Sequence, residues 1–195
     1  MAGMQGLIKN VRTTPASAFG KGVATSATML ALGDVLCQAI QHKSVGSLRH
    51  SWDRKRTGRF ALVGLTLHGP TFFTGFRAVD GFWGPGKGIG EVLKKTAAVQ
   101  LIVFPPFLAT FFYYLRRLEG KSHQTGVQSI KDNFWTAFSA GSIYWPVVNV
   151  VNFALMPADK RMLLTSSAAL VYNTFLSWVN ATKKDGVKMV KQATK

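Results

Sequence analysis

Residues 81–88, Gly-Phe-Trp-Gly-Pro-Gly-Lys-Gly, come close to a nucleotide site. Gly81, four residues, then Gly86-Lys87 match most of the phosphate-loop pattern G-x-x-x-x-G-K-[ST]. Such a loop cradles phosphates in its backbone N–H groups, while the lysine reaches the outer phosphates and a hydroxyl holds magnesium. Here Gly88 stands where the hydroxyl belongs. The chemistry also needs a strand to deliver the loop and a helix directly after it. The flanking stretches are uncharged runs of helical length, so no strand is expected. Gly81, Gly84, Gly86, Gly88 and Gly90, with Pro85, read more simply as a flexible turn. Trp83 beside them suits a membrane–water interface.

Asp34 is the most informative single residue. It lies in an otherwise apolar stretch, Gly22 to Gln41, and Gln38 shares its helical face. An acid in apolar surroundings is either a functional group or one member of a buried pair. Pairing is favoured, with Arg77 or Arg161 as expected partners. Ser142, Asn149, Asn152 and Met156 recur at helical spacing, as do Ser166, Asn173 and Ser177. Amides and hydroxyls are costly in hydrocarbon unless paired, so these faces should point into a bundle. They act either as glue between helices or as the lining of a polar path, and glue is the favoured reading. His68 is alone in its stretch, while His42, His50 and His123 fall in loops, so no metal cluster is expected. No cofactor is implied, and no nucleophile–base set can be assembled.

These residues need elements to hold them. Phe60–Phe76 is 17 residues without Lys, Arg, Asp or Glu; Thr96–Leu115 is 20, Asn133–Ala158 is 26 and Met162–Thr182 is 21. A helix crosses a bilayer core with about 20 mostly apolar residues. Gly22–Gln41 is a fifth, weaker run. The expectation is an all-α fold: a polytopic transmembrane bundle of four to five hydrophobic helices. Pro146 and Pro105-Pro106 should kink their helices, and Ala137-x-x-x-Gly141 should mark close helix packing. Charged residues make up only 16% of the chain, yet Lys and Arg outnumber Asp and Glu by 24 to 8. A basic chain with long uncharged runs fits anionic lipid better than nucleic acid. Cys37 is the only cysteine, which excludes an intrachain disulfide.

The charges lie between the runs. If all five segments span, one side carries 15 basic residues and the other 9, and the richer side is the non-translocated face. Arg54, Lys55, Arg56, Arg59, Arg116 and Arg117 belong to that side and are expected to meet lipid headgroups or a partner. The whole chain, 1–195, reads as a single membrane domain. Residues 1–15 form an amphipathic segment, with Met4, Leu7, Ile8 and Val11 on one face and no acid before Asp34. Such a start is either an uncleaved mitochondrial signal or an interfacial helix. Residues 183–195 form a basic tail.

The ordered motifs resemble the Mpv-seventeen/peroxisomal membrane protein family along nearly the whole chain. Gly33-Asp34 with Gln38 is similar to its first-helix G-D-x-x-x-Q. Asp53-Arg54 with Arg59, then Gly69-Pro70, is similar to its second helix. Pro85-Gly86, Lys94-Lys95, Gln100 and Pro106 match its centre. Trp145-Pro146, Asn152-Phe153, Pro157 and Arg161, with Asn173, Leu176 and Ser177, resemble its C-terminal signature, the most specific set. The chain departs from the family at Phe73, Gly75-Phe76, Val99, Asn149 and Tyr172. The resemblance implies a four-helix transmembrane core in the mitochondrial inner membrane or the peroxisomal membrane. It also implies a weakly selective pore or a role in organelle homeostasis, without enzyme activity. Two functions follow as expectations. One is a channel-like protein passing small solutes. The other is a structural subunit of a respiratory, translocase or ribosome-associated assembly, with anionic lipids and neighbouring subunits as partners and no nucleic acid.

Overall fold

A computed structural model describes residues 15–41 and 52–174. The amphipathic start through residue 14, Ser177 and the basic tail lie outside the described residues. The described chain is all-α, with no strand. Helix α1 is Ala16–Gln41. Helix α2 is built from Arg54–Val63, a π segment Gly64–His68, and Gly69–Trp83. Helix α3, Ile89–Leu118, likewise contains a π segment, Val99–Val103. Helix α4 is His123–Leu155, and α5 covers 161–174.

Local chemistry sets the boundaries. Pro15 offers its carbonyl to the N–H groups of Ala18 and Phe19 at the start of α1. Asp53 caps α2 by accepting from the Arg56 N–H at 2.9 Å, and Ser122 caps α4 through the Thr125 N–H. Side-chain oxygens at these positions satisfy donors that a helix start leaves open. The backbone turns left-handed at Gly84 and Gly120, just past α2 and α3.

The expected kink at Pro105-Pro106 takes a specific form. A proline donates no hydrogen bond, and its ring crowds the carbonyl four residues back. In α3 the turn before the prolines widens, and the Phe104 N–H reaches back five residues to Val99. In α2 the Gly69 N–H reaches Gly64 in the same way, one residue before Pro70. Each widened turn carries the ladder up to the residue before a proline. Helix α4 runs on through Pro146.

Helices α1 and α2 pack closely at Gly64, where a Cβ would sit 2.6 Å from the Ala27 Cα. Gly141 of α4 similarly admits the Phe104 ring of α3, as the small-residue spacing predicts. The core joins Phe72, Phe73, Phe76 and Val79 of α2 to Val92, Val99, Phe104 and Leu108 of α3. Phe153 of α4 meets Phe76 edge-on, with ring centres 5.6 Å apart. Leu65, Leu101, Ile102, Ile143, Val147 and Leu155 point outward instead. Among the described residues, two helices, α1 and α3, are long and apolar enough to cross a membrane. The run at 60–76 shares its helix with the basic start of α2, and the run at 133–158 is rich in Trp, Tyr, Ser and Asn.

Candidate functional site: a buried polar lane

Polar side chains are buried beside the aromatic core, while many large apolar ones face out. At the end where α1 finishes and α2 begins, Asp34 is the hub. Its Oδ2 accepts from Gln38 Nε2 and from Thr57 Oγ1, each at 2.7 Å. Its Oδ1 lies 2.7 Å from Arg56 Nε. Gln38 Oε1 accepts the Asp53 N–H at 2.8 Å, and Trp52 Nε1 donates to Thr57 Oγ1 at 2.9 Å.

The partner of Asp34 is therefore Arg56, not Arg77 or Arg161. The cap at Asp53 starts α2 beside the end of α1, so the first turn of α2 delivers Arg56. Arg161 binds Asp80 instead, and Arg77 lies over the Phe73 ring. Arg56 is thus the ion-pair partner of Asp34, with its side chain still 31% exposed. Of the other expected headgroup contacts, Arg54 and Lys55 are exposed, with Arg54 over Trp52 at 5.3 Å. Arg59 lies 3.9 Å from Asp53. Arg116 pairs with Glu119 at 2.8 Å, and Arg117 donates to the Lys121 carbonyl at 2.7 Å.

Single hydrogen bonds join helix to helix through the interior. Ser26 Oγ and His68 Nδ1 are 2.7 Å apart, linking α1 to α2. The His68 ring lies between Phe72 and Phe107. Gln100 Nε2 donates to Ser142 Oγ at 2.9 Å, linking α3 to α4. Asn152 Nδ2 donates to Thr165 Oγ1 at 2.9 Å, linking α4 to α5. Asn149 is buried one turn before Phe153, and the Asn173 carbonyl accepts from Cys37 Sγ at 3.2 Å. Several buried atoms in this region have no partner: Thr96 Oγ1, Gln100 Oε1, Asn152 Oδ1 and Ser166 Oγ.

The opposite end holds a cluster that the sequence reading missed. Asp80 of α2 pairs with Lys95 of α3 at 3.0 Å and with Arg161 of α5. Phe153 of α4 lies beneath both cations, 5.9 Å from Lys95 Nζ and 4.8 Å from the Arg161 guanidinium carbon. Lys95 is 0% exposed. The available signals were that Asp80 is the only acid between Asp53 and Glu91, and that Lys95 and Arg161 stand among the ordered motifs.

The glycine-rich loop covers this cluster. Lys95 Nζ donates to the Gly86 carbonyl at 2.9 Å, and the Gly88 N–H donates to Glu91 Oε2 at 3.3 Å. A carboxylate faces the N–H that a phosphate would need, and Lys87 is exposed. The loop is a helix connection with its own internal partners.

Exposed large apolar side chains and two helices long and apolar enough to cross a membrane, among the described residues, fit a helical membrane protein. The similarity to known proteins agrees. A family model described as Mpv17 / PMP22 family matches residues 116–177. Protein SYM1 of Gibberella zeae is 35% identical over 161 residues, covering 80% of this chain and 87% of that one. The mitochondrial inner membrane protein Mpv17 of Caenorhabditis elegans is 28% identical over 161 residues, covering 83% and 85%. PXMP2/4 family protein 2 of Dictyostelium discoideum is 24% identical over 161 residues, covering 82% and 83%. No solved structure matches. The chain belongs to the Mpv17 / PMP22 family.

Proposed function

We propose that this chain is a polytopic protein of the mitochondrial inner membrane whose helix bundle passes small solutes along its buried polar lane. The observation that carries the reading is the set of unpartnered buried atoms on Thr96, Gln100, Asn152 and Ser166. A polar atom buried without a partner costs free energy, and such atoms invite water or a polar solute. The relative from Caenorhabditis elegans, named as an inner-membrane protein, supports the location. The PXMP2/4 names keep the peroxisomal membrane as the alternative. Four to five spanning helices fit the long uncharged runs, and exposed Arg54 and Lys55 fit anionic headgroups. No catalytic role is proposed. Purified protein in liposomes should release small entrapped solutes and retain large ones; tight vesicles at all protein loads would refute passage.

A second reading, a structural subunit of a larger membrane complex, is favoured by the interhelix bonds of Gln100–Ser142 and Asn152–Thr165. They serve as glue whether or not anything moves between the helices. Migration with a larger assembly on native gels after mild detergent, together with tight vesicles, would put this reading first.

A further inference from the structure

Helix α2 opens on Arg54-Lys55-Arg56, with no acid in its first turn. The dipole of a helix makes its N-terminus positive, so three cations there oppose it. Two carboxylates offset part of this charge. Asp34 holds Arg56, and Asp53 caps the helix and lies 3.9 Å from Arg59. Arg54 and Lys55 are left exposed, with no carboxylate of their own among the described residues. Trp52 lies beneath the Arg54 guanidinium at 5.3 Å, but a ring face does not neutralise a charge.

The finish of α3 lies beside this start. Lys55, Arg59, Leu62 and Thr66 fall on one face of α2, and Thr66 Oγ1 is 3.1 Å from the Tyr114 hydroxyl. Arg117 follows one turn after Tyr114, and Lys121 stands just beyond the end of α3. The acids nearby are taken: Glu119 pairs with Arg116, and Asp132 of α4 accepts from Gln128. Arg117 donates to the Lys121 carbonyl, so both remain exposed cations without a carboxylate among the described residues.

Beyond the charges the surface of α2 turns apolar. Leu62 and Leu65 are 37% and 48% exposed. Leu62 stands seven residues after Lys55, about 10 Å along the helix, enough to pass from headgroup to acyl depth. Gly58 between them is open, with no atom within 4 Å of where its Cβ would be. Cations at the tip, a gap and then leucines match a phospholipid from headgroup to chains. Soluble phosphate would use the cations and leave the leucines bare. A phosphodiester carries one negative charge, so a lipid with two phosphates can engage the cations of both helices at once.

We infer that this end of α2 and α3 is a docking surface for a phospholipid bearing two phosphates. The phosphates meet Arg54, Lys55, Arg117 and Lys121, and the acyl chains lie against Leu62 and Leu65. This rests on the membrane reading and not on solute passage. The test titrates the full-length protein in neutral detergent with diphosphatidylglycerol, phosphatidylglycerol, phosphatidylcholine or inorganic phosphate and follows thermal unfolding. Diphosphatidylglycerol should raise the unfolding midpoint at the lowest concentration, phosphatidylglycerol at a higher one, and the other two should leave it unchanged. Lys55→Gln and Lys121→Gln should each raise the half-saturating concentration of diphosphatidylglycerol about fivefold, the effect of one cation near an anionic lipid. Lys87→Gln, at the opposite end, should leave it unchanged. If Lys55→Gln does not fold, Arg54→Gln and Lys121→Gln decide. Equal stabilisation by inorganic phosphate, or an equal loss in Lys87→Gln, overturns the docking surface. Protein that pellets after alkaline carbonate yet shows no lipid preference overturns this inference alone. Protein released by carbonate overturns the membrane reading, and this inference with it.

Discussion

Asp34 shows what a single ionised side chain does in this protein. It is 3% exposed and holds α1 to the first turn of α2 through Arg56, Thr57 and Gln38. Removing one member of a buried pair typically costs about 3–5 kcal/mol. The cost here should fall at the lower end, because the Arg56 side chain keeps 31% exposure. Asp34→Leu should therefore sharply reduce folded protein in detergent, read by size-exclusion chromatography. Asp34→Asn should do so less, since an amide oxygen still accepts from Thr57. Normal accumulation of both variants with altered solute flux would make Asp34 a lining residue instead. Lys87 is the opposite case: it is exposed, and the loop around it satisfies its own polar groups. ATP should not bind measurably, and Lys87→Ala should behave as wild type in a thermal-shift titration. Micromolar binding abolished by that change would restore the nucleotide reading.

At the scale of elements, close approach depends on missing side chains. At Gly64 the neighbour is backbone, the Ala27 Cα at 2.6 Å, and backbone cannot swing aside. Overpacking typically costs about 1–3 kcal/mol, and Gly64→Val should reach or exceed that range. Thermal unfolding in detergent should show a clear loss of stability, while Gly58→Val, where no atom lies within 4 Å, should be far milder. Equal losses at both sites would mean that helix propensity, not α1–α2 contact, governs the effect. The two π segments belong to the same scale. Each sits immediately before prolines, so a sequence feature that reads as a helix breaker becomes a local widening inside a continuous helix.

The whole molecule has two distinct ends. The end of α1 meets the start of α2 through Gln38 and Asp53. The 84–88 loop returns the chain at the far end, and Thr66 of α2 meets Tyr114 near the finish of α3 at 3.1 Å. Lys55 and Lys121 therefore share one end, and Lys87 lies at the other. In a Cys37→Ser background, cysteines placed at 55 and 121 should be labelled from the same side of sealed organelles, and one at 87 from the opposite side. Labelling of all three from one side would break the spanning reading. Alkaline carbonate should leave the protein in the membrane pellet, and recovery in the supernatant would do the same.

Helical class and the inward placement of Asp34, Gln38, Asn149 and Asn152 were legible in the sequence. Charge-free runs and 3.6-residue periodicity depend only on near neighbours in the chain. Family membership was legible too, because unusual residues recur in order. Pairing was not. Asp34 was expected to find Arg77 or Arg161 but meets Arg56, because the geometry of the α1–α2 corner decides which cation arrives. Asp80, Lys95 and Arg161 are separated by 15 and 66 residues in the chain, yet they share one site. No local pattern encodes such a meeting. It exists because antiparallel α2 and α3 bring Asp80 and Lys95 to one level, and because α5 starts at that same end of the bundle.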